Sequence, residues 1–320
     1  MKQKITRLLS IILPLALGVF LIIYSYNQFT PQQLNDVFSH FKNADYTYIY
    51  ISLFIGLSSH MSRAYHWKYT LEHMGYKTPF GLRFFAVCIA NFMNMTIPRS
   101  GEVARALVVK ERRDVPLDEG IGTIVSERVI DLIIMLFCTS VAVLLQFGTL
   151  KDYLVKQIPL DKLLIYGLTG LAFFIAAVLM FLYSRMQWVQ KLKLKISGFT
   201  KGVLSVFKMR NKWPFLLHSA YIWTSYVLMF YVTIYSLPET AGLSFGVVAI
   251  AFVVGSFAVT FSNGGFGVYP IAVGAILKLY GIPAEAGTAF GWIVWASQTI
   301  MVVLLGCLSF LLLPLLYRKK

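Results

Sequence analysis

Arg99, Glu102 and Arg105 recur at intervals of three in "PRSGEVARALVVKERR" (98–113), and Glu127, Arg128 and Asp131 follow in "SERVIDLIIML" (126–136). On a helix, residues three and four apart share a face, so Glu102 lies beside Arg105, Glu127 beside Asp131, and Arg128 within reach of Asp131. Two guanidiniums at a helix start suit a phosphate: the free backbone N–H groups and the helix dipole attract an anion, and each Arg can grip two of its oxygens. Ser100 stands where an N-cap would, and Glu102 can orient the arginines or meet a cationic headgroup. Ionisable groups inside an apolar helix are costly, so Glu127, Arg128 and Asp131 mark either a pathway or a partnered cluster. Plainer readings stand beside these. The first stretch also reads as a cytoplasmic loop with solvated charges, and the second as a self-neutralised network that fastens its helix to the preceding segment.

Other chemistry-bearing residues point less far. Arg63, His66 and Trp67 in "SRAYHWKYTL" (62–71) read as an interfacial belt anchoring a helix end, and His60 and His218 as hydrogen-bonded packing rather than a proton relay. The histidines form no HExxH cluster and the cysteines no CxxC spacing, so neither a metal, a disulfide nor a cofactor is indicated. Gly264, Gly265 and Gly267 in "SNGGFGVYP" (262–270) follow no soluble strand and precede no acid at the expected interval. They read as a permissive turn, not a nucleotide fingerprint.

These residues must be positioned by membrane helices. Across 320 residues, 58% are hydrophobic and 13% charged, which excludes a soluble domain. Apolar stretches fall at 8–26, 46–62, 82–98, 121–147, 163–184, 213–236, 246–262, 268–280 and 287–316, the first reading as a retained anchor. The net charge of +15 reads as topology rather than nucleic-acid binding, because cytoplasmic loops of polytopic proteins collect Lys and Arg. Basic clusters flank 82–98 on both sides, so this stretch is predicted to dip into the bilayer and return, Pro98 stopping the incoming helix and Gly101 supplying the turn. Stretches 246–262 and 268–280 make a second such hairpin around Gly264, Gly265 and Gly267, and the basic segment 188–212 is expected on the inner leaflet as an amphipathic connector.

The expectation is an all-α polytopic membrane protein, one domain over 1–320, with about six full spans and two re-entrant helical hairpins. Both termini are cytoplasmic, and only Lys42, Lys151, Lys156, Lys162 and Lys278 lie outside. Residues 1–150 and 151–320 then repeat one element order in opposite orientations, an inverted repeat with a polar cavity at the hairpin tips.

Asn94, the run Pro98-Arg99-Ser100-Gly101-Glu102, Arg105, Val115-Pro116, Thr123, Ser126-Glu127-Arg128 and Asp131 together resemble the signature of the lysylphosphatidylglycerol synthase transmembrane domain family. Length and helix layout are similar over nearly the whole chain. The resemblance implies a protein of the bacterial cytoplasmic membrane that handles polar lipids, since in bifunctional relatives this domain is a flippase for aminoacylated phosphatidylglycerol. It implies Asn94, Arg99, Glu102, Arg105, Glu127, Arg128 and Asp131 as headgroup-binding residues. Two departures stand out. No soluble acyltransferase-like domain is present, so lysyl transfer is expected from a separate lipid-modifying enzyme. The second hairpin has Asn263 in the family's proline region and Pro270 near its acidic position.

The expected function is therefore a non-enzymatic translocator of an anionic or aminoacylated phospholipid or a polyprenyl-phosphate lipid. Without a Walker motif, its drive would be a lipid gradient, a proton or another ion, with Glu102, Glu127 or Asp131 carrying the proton. The rivals are an intramembrane lipid-phosphate transferase or hydrolase, which lacks an aspartate-rich magnesium motif here, and a scaffold for a lipid-modifying enzyme. The sequence leaves open the lipid, the direction and whether the protein is a homodimer.

Overall fold

A computed structural model describes residues 29–97, 100–157, 208–262 and 264–317, with scattered positions in 16–27 and 162–206. Every regular element among the described residues is helical. Most of the expected spans 8–26 and 163–184 and of the basic connector 188–212 lie outside the described residues, as do Pro98, Arg99 and Asn263.

The first well-described helix, α1 (Pro31–Asn43), was not among the expected elements. It starts at a reciprocal capping box between Thr30 and Gln33, with Pro31 in its first turn. Asp45 caps α2 (Tyr46–His73) through Thr47 N. Next come α3 (Phe80–Thr96) and α4 (Ser100–Arg113), the arms of the first hairpin. Then α5 (Leu117–Leu145) opens after Pro116, with Asp118 and Glu119 favourably placed in its first turn. A short α6 (Phe147–Gln157) follows. In the second half, α7 (Lys212–Thr233) leads through a 3-10 turn and the single-turn α8 (Pro238–Ala241) to α9 (Phe245–Phe261) and α10 (Val268–Leu279), the arms of the second hairpin. The last helix is α11 (Ala284–Leu316).

Three of these helices are both long and apolar enough to cross a bilayer: α5, α7 with its 3-10 extension, and α11. The 28 residues of α2 are long enough, at 1.5 Å each, but a stripe of polar side chains lowers its apolarity. That stripe faces inward. Ser59, His60, Arg63, His66, Trp67 and Thr70 are buried, whereas Tyr50, Phe54, Met61 and Tyr65 point outward. An apolar exterior around a polar interior suits a lipid solvent.

The packing is ordered around the hairpins. α2 lies along α7; α5 packs on α4 of the first hairpin and on α9 of the second; α11 packs on α10 of the second and on α3 of the first. Small residues allow the closest approaches, for Gly306 of α11 faces Phe92 of α3 and Gly291 of α11 faces Pro270 of α10. The main apolar core gathers α7, α9, α10 and α11, while a separate cluster of Trp67, Leu71, Ala86, Ala106, Val109, Val115 and Ile124 ties α2 and the first hairpin to α5.

Candidate functional site

The first hairpin breaks where expected, between Thr96 and Ser100, but its chemistry differs in detail. Gly101 does not form the turn: it is a helical residue of α4, and a Cβ there would collide with Ala90 O and the Asn94 side chain. Its role is close approach of the two arms. Ser100 is the first residue of α4, and its hydroxyl donates to Met93 O and Ile97 O instead of capping. The cap comes from the other arm, where Asn94 Oδ1 accepts the Gly101 N–H at 2.7 Å. In the second hairpin, Gly264, Gly265 and Gly267 have φ of +64°, +82° and +69°, the left-handed conformation that glycine adopts without steric cost. Trp295 Nε1 fastens this loop by donating to Gly264 O at 2.8 Å. A Cβ on Gly264 would lie 3.8 Å from Met95 Cα, so the two hairpin tips meet.

Behind the first tip, three elements deliver charge to one place. Arg105 of α4 donates through both terminal nitrogens to Glu127 of α5, Nη1 to Oε2 at 2.7 Å and Nη2 to Oε1 at 3.1 Å. Both residues are buried, at 2% and 0% exposure. The Arg105 guanidinium also lies 3.9 Å from the centroid of the Trp67 ring, and Trp67 Nε1 donates to Thr123 Oγ1. One helical turn along α5, Asp131 accepts from Arg63 Nη1 at 3.0 Å and from Trp223 Nε1 at 3.0 Å, and Arg128 lies 3.4 Å away. Arg63 Nη2 reaches Tyr226 OH. These contacts link α2, α4, α5 and α7, and removing Arg63 or Arg105 would leave the buried carboxylate of Asp131 or Glu127 without its main counter-charge.

A cavity of about 30 Å³ opens among these groups, lined by Arg63, Asn91, Asn94, Glu102, Arg105 and Arg128 with Val87, Ala90 and Ile124. Glu102 Oε2 and Arg105 Nε are buried here without a hydrogen-bond partner among the described residues. Asn91 is held by His60 Nδ1 at 3.1 Å. No cluster of three potential metal ligands occurs among the described residues.

Of the residues singled out in the sequence, Asn94, Glu102, Arg105 and Arg128 line this cavity, while Glu127 and Asp131 stand behind it as partners of Arg105 and Arg63. Arg99 lies outside the described residues. The belt reading of Arg63, His66 and Trp67 is corrected: all three are buried, because α2 continues eleven residues beyond the apolar stretch and keeps its polar stripe against α5 and α7. Spacing carried the signal, since His60, Arg63 and Trp67 recur every three or four residues on one helix face.

A buried charged pocket behind a broken helix, inside an all-helical bundle with an apolar exterior, defines an integral membrane protein with an internal polar site. Residues 11–306 match the lysylphosphatidylglycerol synthase TM region, and the chain belongs to that family of lipid-related membrane proteins. Over 133 residues it is also 29% identical to the glycosyltransferase AglD of Haloferax volcanii; the match covers 41% of this chain and 21% of that protein. No solved structure matches the chain.

Proposed function

We propose that the protein is a lipid translocator of the flippase type, moving a phospholipid such as aminoacylated phosphatidylglycerol, or another polar lipid, between leaflets without changing it chemically. The observation that carries this reading is the polar cavity buried in the apolar bundle, where Arg63, Arg105 and Arg128 converge beside an unpartnered oxygen of Glu102. Family membership supports a lipid as the cargo. In this reading the bundle has about six full spans and two re-entrant hairpins, with both termini cytoplasmic in a bacterial inner membrane. The parallel order of span, hairpin and span in α2–α5 and α7–α11 supports an inverted repeat, 1–150 and 151–320.

The narrowness of the site suggests how a headgroup would be handled. About 30 Å³ holds roughly two water molecules, far less than a phosphate with its glycerol. Entry therefore requires the hairpin to move from α5, which separates Arg105 from Glu127. Leaving a buried guanidinium unpaired costs about 3–5 kcal/mol, but a lipid phosphate can take the place of Glu127 in the same two-pronged geometry. Glu127 acts as the placeholder anion, and Asp131 keeps Arg63 and Arg128 turned toward the cavity.

Leaflet exchange of fluorescent phosphatidylglycerol and an aminoacylated analogue in proteoliposomes tests the reading. Wild type should accelerate exchange, and Glu102→Gln and Arg128→Ala should slow it while leaving the melting temperature close to wild type, because neither removes a buried ion-pair partner of Arg105. Wild-type exchange equal to that of empty liposomes for both lipids would overturn it. Similarity to the Haloferax glycosyltransferase favours a second reading, an intramembrane transferase; this one requires a new lipid product by mass spectrometry.

A further inference from the structure

Arg128 stands on an apolar exterior face of α5. Residues three and four apart share a helix face, so Val125 lies one turn before it while Leu132 and Leu136 follow, and these three are 49%, 42% and 53% exposed. Helix α5 is long and apolar enough to cross a bilayer, and Arg128 comes eleven residues after its first residue, Leu117, roughly 17 Å along the axis at 1.5 Å per residue. A cation at that depth, on a face otherwise made of Val and Leu, is costly in lipid. An arginine that only snorkels would turn its head toward the water at the helix end. Arg128 turns the other way: its side chain is 47% exposed, yet Nη1 lies 3.4 Å from Asp131 Oδ2, one turn further along α5, and the residue lines the cavity with Arg63, Glu102 and Arg105. The same side chain thus faces the exterior and the cavity.

The guanidiniums here keep donors in reserve. Asp131 Oδ2 accepts from Arg63 Nη1 at 3.0 Å, so one carboxylate oxygen serves both Arg63 and Arg128. Arg128 donates no hydrogen bond among the described residues. Further in, both terminal nitrogens of Arg105 are on Glu127, while its buried Nε has no partner among the described residues. One guanidinium at the surface and one inside therefore offer N–H groups to an acceptor that the described protein does not supply. Phosphate oxygens are strong acceptors and take charge-assisted hydrogen bonds from Arg. A soluble anion would have to pass the apolar flank of Val125 and Leu132 to reach Arg128. A membrane lipid brings its phosphate there with its chains still against those side chains.

The geometry points to a lateral mouth at Arg128, through which the phosphate of a membrane lipid passes between the bilayer and the cavity while its chains lie along Val125, Leu132 and Leu136. The proposal rests on the translocator reading and gives the cargo a route, from the side of α5 first to Arg128 and then to Arg105.

Photocrosslinking tests it. The full-length protein in nanodiscs receives a trace of phosphatidylglycerol with a diazirine on its headgroup glycerol, and adducts are mapped by peptide mass spectrometry. Adducts should concentrate on the peptide that carries Val125 to Leu132. Their yield should fall on the order of tenfold in Arg128→Gln, the loss expected for a hydrogen bond to a charged group, and recover in part in Arg128→Lys. Excess unlabelled phosphatidylglycerol should displace them, and soluble glycerophosphoglycerol should not. Adducts elsewhere on the chain, a yield unchanged in Arg128→Gln, or displacement by the soluble headgroup would each overturn the lateral mouth; the first and third are read on wild type and stand even where the variant does not fold. The exchange assay separates the two readings. Exchange without adducts on α5 overturns the mouth and leaves the translocator, whereas Arg128-dependent adducts without exchange support the mouth as a lipid site and remove the translocator.

Discussion

At the scale of single residues, the site is held by ion pairs whose removal is more costly than their formation is favourable. Arg105→Ala and Glu127→Ala should each destabilise the protein by about 3–5 kcal/mol, and the double variant by clearly less than the sum, because each single change strands a buried charge. Thermal unfolding of the four proteins in one detergent measures this cycle; additive losses would show that the two residues do not act as a pair. The sequence paired Arg105 with Glu102 on α4 and Arg128 with Asp131 on α5, and read the second group as a network fastening its helix to the first hairpin. It named Arg128 with Asp131, which are indeed 3.4 Å apart, yet the shorter contacts of Glu127 and Asp131 run to α4 and α2. Spacing along one helix reports only neighbours on that helix, so Arg63 stayed hidden behind an aromatic and cationic composition that also suits a membrane interface.

At the scale of elements, the hairpins were legible because they are punctuated by residues with restricted uses. The first helix ends just before Pro98, and the three glycines of the second loop all take positive φ. Gly101 was misread as a turn because the sequence does not distinguish a glycine needed for its backbone from one needed for its missing side chain. The two cases separate experimentally. Gly101→Ala should cost about 1–3 kcal/mol or more through overpacking against Ala90 and Asn94. Gly264→Ala should cost a similar amount, about 1–3 kcal/mol, through strain at φ +64°, since a Cβ there meets only ordinary contacts. Gly264→Asn should cost less than Gly264→Ala, because Asn tolerates the left-handed region, while Gly101→Asn should cost more than Gly101→Ala; equal responses would refute the assignment. Helix α1 escaped notice since its polar face and 13 residues resemble neither a span nor a connector, and only its capping box marks it.

At the scale of the whole molecule, the hairpin tips touch where Met95 meets Gly264, so opening the cavity should part them. With Met95→Cys and Gly264→Cys in a background whose native cysteines are replaced by Ala, a disulfide is within reach, as bridged Cβ atoms lie about 3.5–4.5 Å apart. Oxidation should stop lipid exchange and reduction restore it; exchange that continues in the bridged protein would show that the tips do not separate. One further feature sets a limit on the machine. Helix α11 seats both hairpins on its glycines, Gly306 against the first and Gly291 against the second, so the hairpins share a single rigid support. A polar passage open to both sides at once would short-circuit the membrane potential with every lipid moved. If the protein moves lipid as proposed, a common support would make the displacement of one tip depend on the position of the other, and the close packing that joins the helices would then also guard the membrane against ionic leak.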